Sequence, residues 1–348
     1  MKKIVIAILI GLFSVSIFAF DVSFYRSTQT LEMGETFTGI ANDQNAIFYN
    51  PAGIANIKGF FFSLPNFNAG MSQGFGSAAL KTISNWNQIQ PLIQSGNSTL
   101  LMAYLIQNYL PYLQGSNSLL TGSDALIGYG FGNFAIAGGA FGQLWGQSIL
   151  TQYNTLFLNA SADVYAFGTT AFSLNFGDLK LNAGGTYRYG YGFPQIYSIN
   201  NEFLLTANLN PDLTYESTSN VDLGTMISYG QLSFGALWHN VLNQSTPDVR
   251  VGIGYESKNI SAGIDLENIF NGNYTLYRKV HAGISYKPFD FLTLYGGLSA
   301  GWFTGGIQAN LGLFYVNLGT YVLNYGNYAG YNYQRMYAIQ IGIANSVW

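Results

Sequence analysis

From about Asp124 to the C-terminus, connectors of two unlike lengths alternate along the chain. One set is nearly absent: Gly132-Asn133, Gly177-Asp178, Gly230-Gln231, Ser257-Lys258-Asn259 and the surroundings of Pro288. The other set is longer and polar, at 146–163, 192–218, 242–247, 269–276 and 325–333. Tight turns at one end and long loops at the other describe an antiparallel meander whose two ends differ. Short periplasmic turns and long external loops give an outer-membrane barrel that asymmetry.

The segments between connectors must then be strands, and their alternation says which face meets lipid. In 178–191, Leu179, Leu181, Ala183, Tyr187 and Tyr189 alternate with Lys180, Asn182, Thr186 and Arg188. In 258–268, Ile260, Ala262, Ile264 and Leu266 alternate with Ser261, Gly263, Asp265 and Glu267, and in 276–287 Val280, Ala282, Ile284 and Tyr286 alternate with Lys279, His281 and Ser285. One apolar and one small or polar face is the pattern of lipid outside and lumen inside. A soluble β-sandwich also alternates, but its polar face carries many charges. Here only 8% of residues are Asp, Glu, Lys or Arg, against about 25% in soluble domains. After the first 20 residues no run reaches the ~18 apolar residues of a spanning helix. A closed sheet is the remaining way to pair every backbone group in lipid.

The expected strands are 60–71, 124–131, 134–145, 164–177, 178–191, 219–229, 231–241, 248–257, 258–268, 276–287, 290–301, 304–313, 314–324 and 334–343. That makes 14, an even number as single-chain bacterial barrels have. The count depends on a turn near Phe314 that no Gly-Asn or Asp-Gly pair marks. Three further regions stand apart. Residues 1–20 read as a signal peptide, with Lys2 and Lys3 before an apolar run from Ile4 to Phe18. Residues 21–58 show no alternation, and the barrel proper is assigned to 59–348. The insertion 72–123 places Trp86, Ile89, Leu92 and Ile93, then Leu101, Tyr104, Leu105 and Leu113, at helical spacing. Pro91 and Gly96 interrupt it, so two short helices on the external side are expected.

Most charged residues in the strands fall on the lumenal phase: Lys180, Arg188, His239, Arg250, Asp265, Glu267, Lys279 and His281. Reflection about 269–275 sets Asp265 opposite Lys279, and reflection about 242–247 sets His239 opposite Arg250. Two readings stay open: inward charges that pair and pin register, or a polar track for solute or protons.

The run Gly34-Glu-Thr-Phe-Thr-Gly-Ile-Ala-Asn-Asp-Gln-Asn-Ala-Ile-Phe-Tyr-Asn-Pro-Ala-Gly-Ile-Ala55 resembles the N-terminal signature of the FadL-like outer-membrane superfamily. The matching positions are Gly34, Ala41, Asp43, Ala46, Asn50, Pro51, Ala52 and Gly53, with Asn42 where Asp is common. The helical insertion and the tight-turned C-terminal half are similar to the PorV/TraF-like branch. The resemblance implies that 21–58 is a hatch filling the barrel from the periplasmic side, with Asn50, Pro51, Ala52 and Gly53 as its motif. Pro51 biases Asn50 to an extended conformation, and Gly53 is read as a turn before the first strand. Trp348 supplies a terminal aromatic out of phase with Tyr337, Ile339, Ile341 and Ile343, which calls for a bulge near Asn345 or a short tail.

Function follows by exclusion and by cap composition. There is no Cys, so no thiolate site or disulfide. The two histidines have no metal-ligand spacing to a further His or Cys, and no Gly-x-Ser-x-Gly elbow is present, so neither enzyme chemistry, cofactor nor metal is expected. A net charge of −3 without a basic run gives no nucleic-acid surface. The leading expectation is a plugged channel for hydrophobic small molecules such as long-chain fatty acids, with Trp86, Leu92, Leu101, Tyr104 and Tyr109 as candidate contacts. Their alternative is packing of the cap on itself. The second reading is a PorV-like docking or assembly partner for secretion or surface proteins; an open diffusion porin is third. Either way the expected surroundings are outer-membrane lipid and the barrel-assembly machinery.

Overall fold

The computed structural model describes residues 25–112, 114–150, 155–200, 216–242, 248–325 and 333–344. The signal-peptide segment, the terminal Trp348 and the bulge near Asn345 lie outside the described residues. Fourteen antiparallel strands close into one barrel, each paired with its sequence neighbours and β1 with β14. They are β1 (Gly59–Ser72), β2 (Gly115–Gly130), β3 (Phe134–Leu150), β4 (Thr155–Phe176), β5 (Leu179–Asn200), β6 (Glu216–Tyr229) and β7 (Leu232–His239). The remainder are β8 (Asp248–Glu256), β9 (Ile260–Leu266), β10 (Val280–Phe289), β11 (Leu292–Ser299), β12 (Trp302–Leu311), β13 (Phe314–Asn324) and β14 (Tyr333–Ala344). The unmarked turn near Phe314 exists: Gly312 adopts φ +72° there and Leu311 pairs with Phe314. Such left-handed positions favour glycine because a Cβ clashes with the following carbonyl. Gly132, Gly177 and Gly230 do the same at three other tight turns.

The lipid phase holds throughout. Tyr187, Tyr189, Ile264, Ile284, Tyr337, Ile339 and Ile341 point outward, each more than two-fifths exposed, while Thr186, Arg188, Asp265 and His281 on the alternate phase are buried. Among the described residues no helix is long and apolar enough to cross a membrane.

Several boundaries differ from the sequence expectation. The stretch 146–163 is largely strand, β3 running to Leu150 and β4 starting at Thr155. β2 starts at Gly115, inside the expected insertion. β4 and β5 have 22 residues each, against 8 in β7 and 7 in β9. At ~3.3 Å per residue and ~40° tilt, β4 and β5 stand ~55 Å tall, roughly twice the ~25 Å apolar band of such a barrel. Above that band no face needs to be apolar, so backbone pairing continues where alternation has faded. The loop end also holds one tight turn, Ala300-Gly301, both with positive φ.

The insertion contains three helices rather than two: α3 (Gln73–Ser84), α4 (Trp86–Gln94) and α5 (Ser98–Tyr109), numbered after two shorter helices described next. Gly96, at φ +68°, separates α4 from α5 as expected, whereas Pro91 sits inside α4 and the first break falls at Asn85.

Candidate functional site

Residues 25–57 fold inside the barrel. The segment consists of α1 (Thr28–Glu32), α2 (Ala46–Tyr49) and a 3-10 turn, Pro51–Asn56, and all of it is buried except Arg26, Asn42 and Asn56. Short helices interrupted by extended backbone have many unpaired N–H and C=O groups, which must find partners on the wall. The wall meets them in two ways. On β3 and β4, Phe141, Tyr165 and Phe167 point inward and pack on the segment's Tyr25 and Phe48, with Phe48 edge-on to Phe141 at 5.5 Å and to Phe167 at 5.3 Å.

From β5 to β13 the inward phase carries a belt of glycines. Gly184 pairs with Gly224, Gly235 with Gly252, Gly263 with Gly283, Gly283 with Gly297, and Gly306 with Gly319, at one level around the barrel. The segment's backbone lies directly on this belt. A Cβ on Gly184 would sit 2.6 Å from the Pro51 carbonyl oxygen, and one on Gly283 would meet the Met33 carbonyl more closely still. From the other side, a Cβ on Gly39 would be 2.8 Å from the Gly254 nitrogen. Backbone therefore packs on backbone at this level.

The sequence motif acts as a fastener within this packing. Asn50 is extended, as the following proline requires, and its Oδ1 accepts from Ala52 N at 3.3 Å. Its Nδ2 donates to the Thr38 carbonyl at 2.8 Å and to the Thr225 carbonyl of β6 at 3.1 Å, joining segment to segment and segment to wall. Pro51 opens the 3-10 turn and Ala52 is fully buried. Gly53 makes no turn into β1; Gly59, at φ +76°, does that. Gly53 is instead a close approach, where a Cβ would collide with the Ala41 carbonyl.

The lumenal charges pair differently from the reflected expectation, and most of them tie the wall to itself. Asp265 faces His281, not Lys279, and its Oδ2 accepts from Phe37 N at 2.9 Å and Thr38 N at 2.7 Å. His239 faces Asp248, not Arg250, and its Nδ1 lies 2.7 Å from Asp222, whose other oxygen accepts from Arg188 Nε at 2.9 Å. Arg250 faces Leu237 and pairs with Asp248 at 2.8 Å and Glu267 at 3.4 Å. The β9–β10 connector contains the short helix α6 (Leu276–Lys279), which shifts the reflection axis. Lys279 closes that helix and donates from Nζ to the Ile269 carbonyl at 3.1 Å. Glu267 follows β9 and also holds Arg278 at 2.7 Å; Lys180, half-buried, lies on the inward phase near the tight-turn end.

Sequence reasoning missed the segment's own charged groups. Arg26 pairs with Glu35. Glu32 lies in a slot made by Gly306 and Gly319, with Oε2 accepting from Asn317 Nδ2 at 2.8 Å and Oε1 without a hydrogen bond. Burial pushes the Glu32 carboxyl up to about 8 and, in the same segment, the Asp43 carboxyl up to about 6. No local signal marked Asp222, which reaches Arg188 only because β5 and β6 pair across a long connector.

The candidate contacts in the insertion behave unequally. Leu101 and Tyr109 are buried in the cap's own core with Ile89 and Leu105, and Leu92 and Tyr104 pack on it. Tyr104 donates its hydroxyl to Gln88 at 2.9 Å. Of the five only Trp86 stays open, at 41%; Leu80, Ile83 and Leu100 of the same insertion are also exposed. Inside the barrel, toward the loop end, a second apolar group forms from Leu31 of α1 with Leu120, Trp145, Tyr321, Leu323 and Met336. Its polar points are the Tyr325 hydroxyl, 2.9 Å from Ser118 Oγ and 3.2 Å from Trp145 Nε1.

No protein-family model matches the chain, and no curated protein matches it. Among solved structures, it is similar to the Pseudomonas putida toluene transporter TodX, with 11% identity, a TM-score of 0.53, and 94% of this chain and 98% of that one covered. A deletion mutant (ΔS2S3) of the TodX monoaromatic hydrocarbon channel aligns at a TM-score of 0.57, also at 11% identity, covering 94% and 99%. The shared feature is the fold; no similarity to the PorV/TraF-like branch is shown.

Proposed function

We propose that this protein is an outer-membrane channel for uptake of hydrophobic small molecules, with residues 21–58 as its hatch. The tight turns then face the periplasm, and the long loops and helical cap face outside. The carrying observation is the distribution of polarity inside the barrel. Asp265 and His281 bind the hatch, the other lumenal charges pair within the wall, and an apolar group lies toward the outer mouth: Leu120, Trp145, Tyr321, Leu323 and Met336 over Leu31. A channel for ions needs a wet, polar constriction at that place. The fold likeness to a toluene transporter supports the same reading, as do the exposed Leu80, Ile83, Trp86 and Leu100 of the cap.

The test is uptake by cells lacking other hydrophobic-solute channels. A radiolabelled monoaromatic hydrocarbon and a long-chain fatty acid are supplied separately, with and without this protein in the outer membrane. Accumulation of at least one should rise, and Trp145→Ala should alter the concentration dependence while the barrel still resists heat in detergent. Equal accumulation of both solutes with and without the protein would defeat the proposal. Co-purification with a stable protein partner in that case would favour the docking role.

A further inference from the structure

Gly34 and Glu35 form a left-handed pair, at φ +68° and +65°. Gly34 has no alternative, since a Cβ there would sit 2.6 Å from the Leu298 carbonyl oxygen. Glu35 does, and a residue with a side chain adopts this conformation at a cost of roughly 1–2 kcal/mol. What the turn achieves is to throw the Glu35 carboxylate against the wall, beside Glu267 after β9 and His281 on β10. One ligand atom from each of these three buried residues lies within 4.8 Å of the others.

The histidine is already oriented. Its Nδ1 is 2.6 Å from the Gly34 carbonyl oxygen, so Nδ1 carries a proton, and Nε2 faces the carboxylates, where a metal ion would take the place of a second proton. His281 is 1% exposed, and Nε2 makes no aligned hydrogen bond; Glu267 Oε1 is 3.4 Å away. An imidazole with a carbonyl behind one nitrogen and the other nitrogen facing acidic oxygens is the arrangement metal-binding histidines use. We propose that Glu35, Glu267 and His281 bind a divalent first-row transition-metal ion of the zinc type, which bridges hatch and wall. One nitrogen and two carboxylates suit such an ion, whereas calcium takes six to eight oxygens. Bonds of ~2.1 Å put ligand atoms about 3.4 Å apart, so the three groups draw in by roughly 1 Å.

Guanidinium groups compete for these carboxylates. Arg26 holds Glu35, while Arg278 and Arg250 hold Glu267, and Asp248 in turn holds Arg250. Arg26 and Arg278 are the most open of the three arginines, at 14% and 12% exposure against 6% for Arg250. The metal displaces one of these two toward the outer mouth. Removing an arginine must therefore tighten metal binding, which a purely structural ion-pair cluster has no reason to show. Sequence spacing could not reveal the site, because its ligands come from the hatch and two different wall segments.

The experiment uses the full chain in detergent micelles, stripped with a chelator and titrated with Zn2+ alone by calorimetry, with metal stoichiometry measured by mass spectrometry. One Zn2+ per chain is expected. Glu35→Gln and His281→Gln should each weaken binding about 10- to 100-fold, His239→Gln should leave it unchanged, and Arg278→Gln should tighten it. Heat-resistant migration in electrophoresis confirms the folded barrel, and Glu35→Gln, outside the strands, decides the matter if His281→Gln does not fold. Absence of saturable Zn2+ binding would overturn the proposal. So would binding that survives Glu35→Gln undiminished, a preference for Ca2+ over Zn2+, or an Arg278→Gln variant that binds no tighter than wild type.

Discussion

If the hatch is held by backbone packed on a glycine belt, methyl groups added to that belt should unseat it without unfolding the barrel. The chosen pair is Gly184→Ala with Gly283→Ala, on β5 and β10. At Gly184 the new Cβ lies 2.6 Å from the Pro51 carbonyl oxygen, about 0.8 Å short of ordinary contact, and the obstacle is backbone that cannot rotate away. At Gly283 the obstacle is the Met33 carbonyl. Overpacking of this kind costs roughly 1–3 kcal/mol per site, and the two sites contact different stretches of hatch, so their costs add to about 2–6 kcal/mol. At 1.4 kcal/mol per tenfold, the unseated fraction rises about 30-fold to about 10⁴-fold. The controls are Gly296→Ala, whose Cβ would meet nothing nearer than Ile284 Cγ2 at 3.7 Å, and Gly168→Ala, which meets nothing within 4 Å. Alanine at these outer positions also lowers unfolded-chain entropy, so the controls should be neutral or slightly stabilising. Single-channel recording in planar bilayers reads the outcome: a quiet wild type and controls, and resolved openings in the double variant. A double variant as quiet as the wild type, with the barrel intact, would show that the belt does not hold the hatch.

Three further outcomes follow from the same junction. Glu32 has a folded-state value of about 8 against an ordinary 4.5, so its penalty for ionising in the slot is absent at low pH and builds as pH rises from about 4.5 to 8. Protease resistance of the hatch should fall across that window and then level, whereas Glu32→Gln should be flat; parallel profiles for the two proteins would count against the buried-acid assignment. Arg188→Ala leaves Asp222 buried beside His239 without its guanidinium and should cost about 3–5 kcal/mol in urea unfolding. Arg188→Leu with Asp222→Leu should lose less than either single change, and a larger loss in the double would contradict this account. Asn50→Ala strips donors from the Thr38 and Thr225 carbonyls, a loss of about 1–3 kcal/mol that faster hatch proteolysis should reveal.

What could be read from the sequence follows where physics acts locally. Lipid imposes a period of two, so the strands within the apolar band and the face of each charged residue were legible, down to Ile339 and Ile341 outward and Arg188 inward. Above the band that constraint lapses, and the upper parts of β3, β4 and β5 read as loop though they pair as strand. Partners of the inward charges were not legible, because they depend on register across connectors. A shift of two residues turned an expected Asp265–Lys279 pair into Asp265 on the hatch amides of Phe37 and Thr38. The motif residues Asn50 and Pro51 could be found, but the wall carbonyl that Asn50 engages could not.

The inward glycines of the belt have a meaning that neither strand propensity nor turn chemistry gives. Glycine in a strand interior weakens the strand and is retained where another backbone approaches closely. Here many approaches come from one partner, and they require every strand to keep its phase. Slipping β12 by one residue would replace Gly306 by Gly305 or Ile307, and only one of those leaves room for Glu32. On β8 the same slip would set Val251 or Ile253 against Gly39 in place of Gly252 and Gly254. Residues 25–57 thus read the register of the wall, and the wall fixes the path of a segment too irregular to hold itself. Composition that looks permissive in each strand is therefore selective in the assembled barrel, because the enclosed segment tolerates one closure of the sheet and penalises its neighbours.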